Sequence, residues 1–130
     1  MITLRKCFTM ILIVSVLITA CSNVTTGQNP PAQTVSITLN TDPITPVVGS
    51  NIVIVDIQNN NGQPLSGAKV DVSADHKDMS GMSMTGLATE QSSGRYSITA
   101  DFSMSGKWNI NVVVQKESLV YEKDFELIIP

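Results

Sequence analysis

Residues 94–114 read GRYSITADFSMSGKWNINVVV, and their large apolar side chains recur at every second position: Tyr96, Ile98 and Phe102 ahead of a Ser-Met-Ser-Gly turn, then Trp108, Ile110 and Val112 after it. Successive side chains of an extended chain point to opposite sides, so a period of two marks a strand with one buried face. The Ser105-Gly106 pair between the two runs signals a reversal. The stretch predicts two antiparallel strands, 95–102 and 107–115.

The same alternation extends outward to TVSITLN (34–40), NIVIVDIQ (51–58), AKVDVSA (68–74), MTGLATE (84–90) and LVYEKDFELII (119–129), with MTGLATE the weakest example. Turn residues separate the runs: Pro43, Pro46 and Gly49; Gly62, Pro64 and Gly67; and Ser-Ser-Gly at 92–94. No stretch carries a helical period of useful length. Seven short strands with regular turns predict an all-β chain, an immunoglobulin-like two-sheet sandwich of about seven antiparallel strands. A barrel satisfies the same pattern. The expected inward set is Val35, Ile37, Leu39, Val70, Val72, Tyr96, Ile98, Phe102, Trp108, Ile110, Val112, Phe125 and Leu127.

The opening MITLRKCFTMILIVSVLITACSN has a different logic. Arg5 and Lys6 precede an apolar run from Phe8 to Thr19, and small residues follow, the layout of an export signal. The run is shorter than the roughly 20 residues a bilayer span needs. The junction ITAC resembles a bacterial lipoprotein signal, which implies cleavage after residue 20 and acylation of Cys21. Residues 21–33, which include a Pro pair and no hydrophobic period, read as a flexible linker from that lipid to a domain at 34–130. The expected location is the extracytoplasmic face of a bacterial cell membrane, or an outer membrane, with the lipid as the anchor.

Composition narrows the function. Cys7 leaves with the signal and Cys21 is blocked by lipid, so no thiol is left in the domain for a disulfide, a thiolate metal site or a nucleophile. The whole chain carries a net charge of −3, and losing Arg5 and Lys6 makes it more acidic. An acidic surface argues against nucleic acid as a partner. With one histidine, no free cysteine, no Gly-rich phosphate loop and no paired carboxylates bracketing a serine, no catalytic constellation can be assembled, and the chain is not expected to be an enzyme.

One segment stands apart. ADHKDMSGMSMTG (74–86) holds the only histidine, His76, and three of the six methionines, Met79, Met82 and Met84, among polar neighbours. If each strand runs opposite to the last, this loop and the turn at 103–106 share one end, away from the linker's entry. Met104 then joins the group, and Trp108 lies beside it. Thioethers are neutral and soft, so a Met/His set favours copper(I) over zinc, calcium or magnesium, and silver(I) also fits. The candidate metal ligands are His76, Met79, Met82, Met84 and Met104. The competing account has Met82 and Met84, two apart, both pointing inward to cap the core, and Trp108 as a core residue.

The order GQPLSGAKVDV, HKDMSGMSM, GRYSITADFSMSGKWNINVVV resembles the YtkA-like domain, related to the FixH-like proteins, over residues 34–116. The shared pieces are the Gly- and Pro-containing turn before the third strand, the Met-Gly-Met loop, Gly94 with Tyr96, and Gly106 with Trp108. The resemblance implies an exported or lipid-anchored sandwich, in some members within copper handling or copper-oxidase assembly. This chain departs from copper chaperones that carry several histidines, and it lacks a redox thiol.

Two functions follow. One is a membrane-anchored lipoprotein binding copper(I) for delivery, buffering or sensing, with a copper donor or acceptor protein or an oxidase or efflux complex as partner. The other is a non-catalytic structural or interaction module accessory to a membrane complex, its methionines serving as an adaptable contact surface.

Overall fold

Seven strands form where the alternation lies: β1 (Ser36–Asp42), β2 (Gly49–Gln58), β3 (Lys69–His76), β4 (Ser83–Ser92), β5 (Arg95–Phe102), β6 (Gly106–Lys116) and β7 (Leu119–Ile129). They come from a computed structural model that describes residues 34–130. The expected signal, Cys21 and linker lie outside the described residues. Among the described residues no helix is long and apolar enough to cross a membrane.

All neighbouring strands are antiparallel, in the order β1-β2-β5-β4-β3-β6-β7. β4 divides its pairing. Its first half runs beside β3, from Asp75↔Ser83 to Val70↔Ala88. Its last residues run beside β5 instead, from Thr89↔Ser97 to Ser92↔Arg95, with a register irregularity between Glu90 and Ser92. A strand that changes partner through a bulge turns a corner between two layers. One layer is β1, β2, β5 and the end of β4; the other is the start of β4 with β3, β6 and β7. β1 and β7 are the outer strands, linked where Lys123 Nζ donates to the carbonyl of Ile37 at 2.9 Å.

The core is the set of inward residues from both layers: Val35, Ile37, Val53, Val55, Ile57, Tyr96, Ala100 and Phe102 facing Val70, Val72, Ala74, Trp108, Ile110, Val112, Val114 and Ile129. Each large apolar side chain fully removed from water contributes about 1.5–3 kcal/mol. Four residues expected inward are only half-buried, packed on the core's margin: Leu39, Ile98, Phe125 and Leu127. Leu39, Phe125 and Leu127 stand on β1 and β7, the outer strands among the described residues. Ile98 lies where β5 has lost β4 as a partner, and its Cδ1 occupies the space a side chain at Gly86 would need.

The end where Thr34 enters is closed by Tyr96 and Gly94. The Tyr96 hydroxyl donates to the Leu65 carbonyl at 2.7 Å and accepts from the Ala68 amide at 3.0 Å, tying the β2–β3 connection to β5. Gly94 has φ +72°, and an added Cβ would sit 2.7 Å from both the Ile57 oxygen and Pro64 Cβ. Only glycine lets the β4–β5 turn approach that connection, where the Ile57 amide donates to the Gly94 carbonyl at 2.8 Å.

Candidate metal centre

The opposite end collects the β3–β4 loop, the β5–β6 turn and the β1–β2 loop. Strand direction alone dictates this, because β3 and β5 both run towards that end and β4 and β6 return from it. Met79, Met82, Met84, Met104 and His76 thus share the end opposite Thr34.

Met82 and Met84 occupy alternate positions of one backbone face and both are half-buried against the core. They stand where β4 runs beside β3, before its pairing with β5 begins at Thr89, and pack on the core there. Met104, in the β5–β6 turn, also packs on the core margin. Ser103 joins the two segments, its hydroxyl donating to the Met82 sulfur at 3.8 Å. Met79 sits in the loop, 43% exposed, and is not among the residues packed on the core. The structure brings Met82 beside the turn that carries Met104, keeps Met84 on the same face, and leaves Met79 off the core in the loop.

His76 is the last residue of β3, opposite Trp108 in register, and 8% exposed. Its Nε2 lies 3.1 Å from the Ser105 carbonyl, and its Nδ1 accepts from the Asp78 amide at 3.2 Å. A carbonyl only accepts, so the ring proton is on Nε2. The ring meets Trp108 edge-on, centroids 5.1 Å apart at 83°. Trp108 in turn meets Phe102 at 5.2 Å and donates its indole N–H to the Met104 carbonyl at 3.2 Å. Trp108 is therefore a core residue that also fixes the Met104 backbone. Gly106, at φ +127°, gives His76 its room: a Cβ there would lie 2.6 Å from Nε2.

Backbone bonds and one ion pair hold the loop against the sheet. The His76 amide donates to Met82 at 3.0 Å and the Lys77 amide to Lys107 at 2.9 Å. Lys77 Nζ pairs with Glu126, and this hydrogen bond, with the nearby charges of Lys77 and Lys107, holds the Glu126 carboxyl below the usual range.

Among the described residues, no three His, Cys, Asp or Glu side chains gather into a group that could hold an ion. A metal at this end would draw on sulfur. Neutral thioethers fit a soft monovalent ion and suit hard or divalent ions poorly. Strand parity in the sequence put His76 and Met104 at this end, and the structure buries His76 and packs Met104 on the core margin. The sequence gave no sign of Ser103, Ser105 and Gly106, whose contributions are a hydroxyl, a carbonyl and an absence of side chain.

The YtkA-like family model matches residues 30–113. No curated protein matches the chain. Among solved structures, the chain is similar to the PmoD soluble domain from Methylocystis sp. ATCC 49242 (Rockwell), with TM-score 0.51 and 15% sequence identity, over 75% of this chain and 92% of that one. At that identity the likeness concerns the fold.

Proposed function

The chain belongs to the YtkA-like family, and from that premise we propose that it is a lipid-anchored, extracytoplasmic protein that carries copper(I) on the thioethers of Met82, Met84 and Met104, with Met79 as an entry ligand. The role is binding and transfer, not catalysis. The observation behind this reading is the placement of methionines from two separate connections at one end, joined through Ser103, in a part of the surface with no competing acid or imidazole cluster among the described residues. Acylation of Cys21 would tether the opposite end, leaving the sulfur-bearing end free to meet a donor, an acceptor or a membrane complex.

The alternative, an accessory interaction module, draws on a specific observation as well. Met82, Met84 and Met104 pack on the core, which is what gap-filling methionines do. The two readings separate by titration. The purified protein is loaded with copper(I) under reductant and challenged with a chromophoric chelator, beside a variant with Met79, Met82 and Met84 changed to Leu. Copper retained by the parent and lost by the variant supports the carrier; equal retention by both removes it in favour of the module.

A further inference from the structure

We infer that His76 is a positioning residue and stays outside the coordination shell, so that the soft-metal site proposed above, on which this inference rests, is built from sulfur alone. Both nitrogens through which an imidazole could ligate are engaged. Nε2–H donates to Ser105, the neighbour of Met104, and Nδ1 accepts from Asp78, the neighbour of Met79. One ring thus ties together the two connections that carry the sulfurs.

Releasing either nitrogen to a metal has a definite structural consequence. Ligation through Nε2 removes the proton that holds Ser105 and frees the Met104 turn. Ligation through Nδ1 orphans the Asp78 amide and frees the Met79 loop. The ring is also hemmed in, with Trp108 at its edge and Gly106 against Nε2, so it cannot swing outward without opening the end of the sandwich. The sulfurs of Met82 and Met84 have no proton to lose, and the hydrogen bond that Met82 accepts, from the exposed Ser103 hydroxyl, is one that water can replace. His76 acts on the metal only through the placement of Met104 and Met79, as outer partners orient ligands elsewhere.

The chemistry that follows is selective. A shell of uncharged sulfurs offers nothing to offset a second positive charge and no imidazole for zinc or copper(II), so the site takes copper(I) or silver(I) and refuses divalent ions.

The test uses the full chain, solubilised in detergent and labelled with 15N-histidine, before and after one equivalent of copper(I). The expected result is that the Nδ1 and Nε2 resonances of His76 keep the pattern of an Nε2–H ring, while X-ray absorption at the copper edge fits sulfur neighbours only. His76→Gln should keep the same sulfur shell while weakening copper(I) binding by about 10-fold, the scale on which outer partners act. A copper-dependent displacement of either ring nitrogen, with a nitrogen neighbour in the absorption fit, overturns the inference and leaves the carrier reading standing. A parent protein that takes up no copper(I) removes both. The first two measurements need no variant, so they stand even if His76→Gln folds poorly.

Discussion

Tyr96 donates its phenolic proton to the carbonyl of Leu65, 31 residues earlier, at 2.7 Å. The same oxygen accepts from the Ala68 amide at 3.0 Å, so one side chain satisfies two backbone groups of an irregular connection. Irregular segments next to a core need such partners, because an unpaired buried polar group costs about 1–3 kcal/mol. Tyr96→Phe keeps the ring and orphans both groups. The variant should lose about 1–3 kcal/mol, seen as a lower urea midpoint at unchanged slope. An unchanged midpoint would mean that water takes over both bonds.

The same phenol links stability to alkaline pH. Burial, the largest cause, raises the Tyr96 pKa above its ordinary value, the Ala68 amide opposes this, and the charge of Glu90 adds to it. Folding therefore favours the protonated form. The contribution is fully present below about pH 10, the value for a free tyrosine, and falls away as pH rises through the higher folded value. Denaturant midpoints measured upward from pH 9 should decline in the parent, and Tyr96→Phe should lack this part of the decline. Parallel profiles would show that Tyr96 is not the group responsible.

Gly94→Ala should be among the most damaging small substitutions. The new methyl lies 2.7 Å from both a backbone oxygen and Pro64 Cβ, and 2.9 Å from the Leu65 nitrogen, at φ +72°. Neither the oxygen nor the nitrogen is a flexible side-chain end that can move aside. Backbone strain of this type is worth about 1–3 kcal/mol, and the clash adds to it. Thermal unfolding of Gly94→Ala beside Gly62→Ala checks the distinction, since a Cβ at Gly62, φ +74°, meets nothing within 4 Å. The two variants share the strain, so Gly94→Ala should be the less stable, and equal melting would show that the close approach is unimportant.

How far the fold could be read in advance depended on whether alternation was one-sided. In β5 and β6 large apolar residues take one parity, and the strands, their turn and the buried Tyr96, Phe102 and Trp108 all follow from it. In β2 both parities are apolar, so the sequence leaves the inward face undecided. Pairing with β5 selects Val53, Val55 and Ile57, opposite Ile98, Tyr96 and the Gly94 turn, and leaves Ile52 41% exposed. The partner change within β4 was hidden because MTGLATE has few large side chains to alternate. At the candidate centre, residue types showed which sulfurs to consider and strand parity showed that they share an end. The bonds from His76 to Ser105 and Asp78 were not legible, since an imidazole in a polar loop looks the same whether its nitrogens are free or taken.

Whether Met82 and Met84 are ligands or core fillers is the question the carrier reading turns on, and leucine separates the answers. Leucine and methionine have similar volumes, so swapping both in a half-buried position should cost less than about 1.5 kcal/mol. The swap deletes two soft donors while keeping the apolar contact. As ligands, the pair Met82→Leu/Met84→Leu should lower copper(I) affinity at least about tenfold, or roughly 1.4 kcal/mol, with the urea midpoint shifted little. Met79→Leu should weaken copper less, since Met79 is 43% exposed and stands apart from the residues packed on the core, and should change stability little. As fillers, the pair should bind copper(I) as the parent does, whatever happens to the midpoint. The ratio of the two effects decides, because packing and coordination draw on the same atoms but only coordination needs the sulfur lone pair.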